Sequence, residues 1–233
     1  LLEASKPKPW CIEKDVFLIL DCWDNFEYFK LQPKGKELKP QLPLPVRLAG
    51  LRLDKIEKAI DTGQTQIATR EIAKLRQQIG QLPQSSVTIK EAAAALARLE
   101  DENFWITLNH PRLEFLRAEI KPLFRTISEA DFKAMRFERD LLEYSLARLS
   151  EEKDKAETLK EGIVEQIGEL PLSVNFVKTE EDLIRVAQTN YYWAKSDASA
   201  LEDALDQLNT RLGPLMKFRE QTNDTGPVHL DLK

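Results

Sequence analysis

The pattern of apolar and polar positions changes character once along the chain. In residues 14–29, "KDVFLILDCWDNFEYF", Val16 to Leu20 form a continuous apolar run. Such a run suits a strand covered on both faces of a sheet, and nothing after it reads as a second one. Asn25 to Leu31 reads as a short extended piece and Leu1 to Pro9 as loop. Through residues 32–45, Pro33, Pro40, Pro43 and Pro45 deny regular helix or a central strand. This Pro-rich linker is the one clear boundary.

Beyond it, helical spacing takes over. Pro45 opens a helix whose apolar positions are Leu48, Leu51, Ile56 and Ile60, and "DTG" at Asp61 ends it. Gln66 to Ile79 forms the next, stopped by Gly80 and Pro83, and Lys90 to Leu99 an Ala-rich third. "SEAD" at Ser128 to Asp131 has the form of a capping box. It precedes a long helix with Phe132, Met135, Leu142, Leu146 and Leu149 on one face and Phe137, Leu141 and Tyr144 on another, a pattern expected of burial on two sides. Further helices are expected at Lys155 to Ile167, from the "TEED" cap at Thr179 to about Trp193, at Ala200 to Leu212 and at Leu215 to Glu220.

A longer regularity overlies these helices. "IGQLPQS" at Ile79 returns as "IGELPLS" at Ile167, and in the same register Phe104–Trp105 matches Tyr192–Trp193. After an insertion of four residues, "LRAEIKPLFR" at Leu116 matches "LNTRLGPLMK" at Leu208. The pattern predicts two copies of one helical unit, about 46–126 and 128–222, packed so that each covers apolar surface the other cannot bury alone. The competing reading is a coincidence of helix-ending chemistry, since Gly-x-x-Pro is a common stop. The fold class expected is therefore mainly α: a multi-helix domain with an internal duplication, preceded by a short N-terminal strand.

Composition agrees, with 8 Gly among 233 residues and an abundance of helix formers. A net charge of −5 gives no sign of a nucleic-acid or membrane surface. Cys11 and Cys22, without a CxxC or a nearby His, make zinc an unlikely expectation and suit a reducing compartment. No signal peptide or bilayer-length apolar run is visible. Leu1 in place of Met, and the ending "PVHLDLK", read as the ends of an excised fragment.

Candidate chemistry is sparse. Asp21 ends its strand as a magnesium ligand would, but the phosphate loop G-x-x-x-x-G-K-[ST] that should accompany it is missing. Asp24 with Glu37 and Lys39 imitates a nuclease acid…E-x-K site, yet that triplet lies in the linker, where no strand presents it. His110 and His229 have no interpretable nucleophile partner. Trp105 and Trp193, with Phe104 and Tyr192, are either base-stacking platforms or, as their matched places suggest, core anchors. Arg139 either pairs with Glu143 on the same helix face or reaches phosphate. Lys34, Lys36 and Lys39 form the densest basic cluster, either a solvated linker or a DNA-backbone contact.

The run at 14–29 resembles a segment of the R (restriction) subunits of type I restriction–modification enzymes. There an apolar strand ending D-x-W-x-N-F-E-[YW]-F follows the last helicase motif of the second RecA-like domain, and a Pro-rich passage leads into a C-terminal helical domain. "IGELPLSVNFVKTEEDLIRVA…YYW" and "LGPLMKFR" also look like that domain, so the resemblance covers nearly the whole chain. It implies that residues 1–31 are the remnant of the RecA-like domain, 32–45 the linker and 46–233 the helical domain. It also implies a cytoplasmic parent using ATP and Mg as a DNA translocase and nuclease. No catalytic, cofactor-binding or metal-binding residue carries over. The implied role is docking onto the methyltransferase and specificity subunits, with DNA reached through the parent complex and no membrane. The alternatives are a helical scaffold unrelated to restriction, or a helical domain that contacts duplex DNA directly. Contact candidates, to partner or DNA, are Lys34, Lys36, Lys39, Arg136, Arg139, Arg211 and Arg219.

Overall fold

Pro45 lies in the first turn of α1 (Leu44–Asp61), where its missing amide hydrogen costs no helical bond. The computed structural model describes residues 42–127 and 130–219. The strand expected at Val16 to Asp21 lies outside them, as do the basic cluster at Lys34, Lys36 and Lys39, and His229. Every element among the described residues is helical.

After α1 come α2 (Thr65–Gly80), α3 (Val87–Glu91), α4 (Ala93–Ala97), α5 (Glu102–Ile106) and α6 (His110–Phe115). A π-helical turn at Leu116–Ile120 and a 3-10 turn at Lys121–Thr126 follow α6. Next come α7 (Phe132–Leu149), α8 (Lys153–Gly168), α9 (Asn175–Lys178), α10 (Glu181–Ala187), α11 (Asn190–Trp193) and α12 (Ala198–Leu212), then a 3-10 turn at Gly213–Phe218. One constant shift along the sequence carries both ends of α1 onto those of α7, and both ends of α2 onto those of α8. α1 packs on α2 and on the Lys121–Thr126 turn, while α7 packs on α8 and on Gly213–Phe218.

The same bonds close corresponding corners. After α1, the Gln64 amide donates to the Ala59 carbonyl (2.7 Å) and the Gly63 amide to Ile60 (3.1 Å). After α7, Glu152 donates to Ala147 (2.9 Å) and Glu151 to Arg148 (3.2 Å). Both are Schellman ends, which require a left-handed residue: Gly63 at φ 70° and Glu151 at φ 60°. The Trp105 indole donates to the Leu99 carbonyl (2.8 Å) and the Trp193 indole to Ala187 (2.7 Å). Both indoles are buried.

Two separate apolar cores result. One runs from Val46 to Phe124 and includes Leu53, Leu75, Trp105 and Leu116. The other runs from Phe137 to Met216 and includes Tyr144, Ile163, Trp193 and Leu208. The expected mutual covering of apolar surface is therefore confined to a minor share of the core. A small cluster, Ala59, Ile67 and Ala68 with Leu149 and Ala198 against it, is the apolar group drawing on both halves.

Local chemistry explains the other differences from expectation. The expected third helix is broken: α3 and α4 meet at Ala92 and a 3-10 turn follows at Arg98–Glu100. α7 is capped by Asp131, whose carboxylate accepts from the Lys133 and Ala134 amides (3.0 and 3.1 Å); Ser128 lies outside the described residues. Thr179 caps nothing; its hydroxyl donates to the Phe176 carbonyl (2.7 Å), and the single helix expected up to Trp193 is split into α10 and α11. The turns after Gly80 and Gly168 lead into the short helices α3 and α9.

The two left-handed corners make opposite demands on side chains. A left-handed residue bearing a Cβ costs about 1–2 kcal/mol, and a Cβ at Gly63 meets nothing within 4 Å. Gly63→Ala is therefore expected to lower stability by about 1 kcal/mol through backbone strain alone, and Glu151→Gly to raise it by about as much. Urea midpoints of the two variants check both signs.

Candidate functional site

Buried polar side chains lie where the halves meet, beside Leu141, Leu142 and Leu205. On α1, Arg52 and Lys55 share a face with Leu48, Ile56 and Ala59, so the fold that buries those apolar residues buries both cations (each 2 % exposed). On α2, Glu71 falls between Ala68 and Leu75 and is 0 % exposed. α7 contributes Glu138 and Ser145, and α12 contributes Glu202 and Asp206.

The bonds form a closed set. Arg52 donates to Glu71, to Glu138 and, through Nε, to the Gln78 side chain (3.2 Å). Lys55 donates to Glu71 (3.1 Å) and to Glu202, whose other oxygen accepts from the Ser145 hydroxyl. Lys74 joins Glu71 (3.1 Å) to Asp206. Arg70–Asp203 (2.7 Å) and Arg47–Glu143 (3.7 Å) extend the seam towards solvent. Burial pushes the Glu71 carboxyl up, but Lys55, Arg52 and Lys74 outweigh it and hold the group at about 2.

This network is built to hold position. About 20 Å³ of free space remains beside it, room for roughly one water molecule, so no nucleotide or substrate fits. Among the described residues no group of three His, Cys, Asp or Glu side chains is arranged to hold a metal ion.

A second feature opens to solvent on the first half. A groove of about 560 Å³ runs between the end of α1, α2 and α5. Ile60, Ile72, Trp105 and Leu108 supply apolar wall, and Ile106 at its rim is 76 % exposed. Arg76 crosses it, bonded to Glu102 (Nη1, 3.0 Å) with its guanidinium 5.5 Å from the Trp105 ring centroid. The Arg76 side chain holds the exposed Glu102 carboxyl below its ordinary range.

The arginines expected to contact DNA or a partner do not gather into one free basic face. Arg139 bonds Asp140 (2.6 Å), its neighbour in sequence, and not Glu143, which pairs with Arg47. Arg211 is paired with Glu180 (2.5 Å), and Arg219 reaches Glu169 (2.6 Å) and Gln166 (3.1 Å). Arg136 is exposed. His110 begins α6, its Nδ1 3.0 Å from Glu57. Phe104, Trp105, Tyr192 and Trp193 are buried in the two cores, and burial pushes the Tyr192 phenol up to about 12. Its hydroxyl donates to the Ala204 carbonyl (2.8 Å).

Sequence reasoning missed Arg52, Lys55, Glu71 and Glu202. Their signal was present: each interrupts an apolar stripe at the spacing of a core position. No family model, curated protein or solved structure matches the chain. No described helix is long and apolar enough to cross a membrane.

Removing one partner from a buried, bonded ion set strands the others. Glu71→Gln is expected to cost about 3–5 kcal/mol at neutral pH. The Glu71 carboxyl is depressed from its ordinary 4.5 to about 2, so its contribution is complete above pH ~4.5 and fades as pH falls towards ~2. Urea denaturation of both proteins from pH 7 to pH 2.5 is therefore expected to show the gap between them narrowing only below pH ~4.5.

Proposed function

We propose that the chain is a non-catalytic helical assembly domain of a type I restriction enzyme R subunit. In this reading residues 1–31 are what remains of the second RecA-like motor domain, and 46–233 dock the motor on the methyltransferase and specificity subunits. The parent is a cytoplasmic enzyme that uses ATP and Mg. The observation that carries the reading is the order of segments: the 14–29 run, the Pro-rich linker, then a stretch whose described elements are helical, bearing "IGELPLS" and "LGPLMKFR". A closed ion set that fixes two cores against each other supports it, because a translocating motor needs a rigid anchor. The solvent-open apolar groove supports it as well.

We further propose that residues 46–126 and 128–222 are two copies of one helical unit. The support is the shared register of α1 with α7 and α2 with α8, the two matched Schellman corners, and the two indoles bonded six residues back.

The rival role, direct contact with duplex DNA through Arg136, Arg139, Arg211 and Arg219, is disfavoured because the last three are already held by carboxylates. A pull-down of the full chain with purified methyltransferase–specificity complex separates the two. Retention on the complex, with duplex affinity weak and unchanged in an Arg136→Ala variant, is the expected result. Failure to bind the complex, together with duplex affinity falling several-fold on doubling the salt, would transfer the role to DNA. If the chain binds neither, it is a scaffold unrelated to restriction.

A further inference from the structure

Reading the two halves as copies turns each into a control for the other. On the groove face of α2 stand Thr65, Thr69, Ile72 and Ala73; in the same register α8 carries Lys153, Glu157, Lys160 and Glu161. α8 thus presents the charged surface expected of a helix facing water, with Lys160 paired to Glu157. α2 presents a partly apolar one, in which Arg76 is the charged side chain and has Val164 as its counterpart.

The end of the long helix differs in the same sense. Arg148 of α7 lies across its own half, donating to the Tyr144 hydroxyl (2.9 Å) and to the carbonyls of Trp193 (3.4 Å) and Lys195 (3.2 Å). Its counterpart on α1 is Ile60, and beside Ile60 and Trp105 the space is open. One copy is closed by its own arginine and coated with charge, while the other keeps an apolar trough of about 560 Å³. That volume suits two or three large side chains.

Carboxylates flank the lining residues in sequence, while the cation held on α5, Arg112, is engaged by the Asn103 and Phe104 carbonyls. Asp61 follows Ile60, and Glu100 and Asp101 precede Glu102; all three are exposed. Arg76 and Glu102 inside the trough neutralise each other.

From this difference between the copies we propose that the groove is the docking site for a basic amphipathic helix of a partner protein. Large aliphatic side chains of that helix enter between Ile60, Ile72 and Trp105, and its lysines or arginines lie against Asp61, Glu100 and Asp101. The inference rests on the two-copy reading, and it deepens the assembly role by naming the face that docks.

The probe is a synthetic helical peptide with leucines at i, i+3, i+4 and i+7 and lysines elsewhere, followed by fluorescence anisotropy against the full chain. A version with glutamate for lysine is the charge control. Thr69→Glu with Ile72→Lys transplants onto α2 the pair that α8 carries at the matching positions. Ile106→Glu, at a side chain already in solvent, guards against a folding artefact.

The lysine peptide is expected to bind at least tenfold more tightly than the glutamate peptide. Each variant is expected to lose at least tenfold while its circular dichroism is unchanged. Equal binding by wild type and both variants overturns the proposal. So does wild-type self-association that Ile106→Glu abolishes, because the occupant is then a second copy.

The pull-down keeps the two proposals apart. Retention of the Thr69→Glu, Ile72→Lys chain on the methyltransferase–specificity complex at wild-type level overturns the groove as docking face and leaves the assembly role standing. Loss of retention by wild type, with peptide binding still sensitive to both variants, upholds the groove and removes the restriction reading.

Discussion

The structure depends on a small set of charges that water does not reach. Arg52, Lys55, Glu71 and Glu202 are buried where α1, α2, α7 and α12 converge, and the bonds among them draw on both halves. Taking four ions out of water is costly, and their mutual attraction offsets that cost only if nearly every donor and acceptor is used. Here Arg52 has three partners, Lys55 two, and both Glu202 oxygens are occupied. An apolar seam could tolerate a slipped or rotated packing. This one cannot, because any other register leaves a charge unpaired.

That constraint also explains why the apolar cores stay apart. Each half closes its own, from Val46 to Phe124 and from Phe137 to Met216. The long helices α1 and α7 form the broadest helix contact in the described chain. Partners advance along α1 from Arg47 to Arg52 while they retreat along α7 from Glu143 to Glu138. The ion set is not itself two-fold: Glu71 has Leu159 as its counterpart and Lys55 has Glu143. If the halves are copies, they have diverged at the seam.

Much of the helical layout was legible because its signals are local. Pro45 and "DTG" bounded α1, and Gly80 and Gly168 closed α2 and α8 where expected. What escaped had non-local causes or competing local ones. Glu151 takes a left-handed corner that a glycine would have announced. Asp131, the last residue of the expected capping box, itself captures the first amides of α7. Ala-rich residues 90–99 favour helix intrinsically, yet the helix breaks at Ala92. Propensity yields there to packing on the Trp105 core. The functional features were least legible: a charged residue in an apolar stripe announces burial, but not which distant carboxylate will meet it.

The span of the seam contacts sets an order of events during folding. Each core is built from residues of one half, whereas Lys55 and Glu202, one on either half, lie 147 residues apart. Closing so long a loop costs entropy and brings little reward before the ends are already structured. Each half is therefore expected to condense first around its own indole, with the salt-bridged suture closing as two preshaped bodies meet. Kinetic resistance to unfolding then resides in the last step to form and the first to open, which makes the buried charges the latch of the molecule as well as its template.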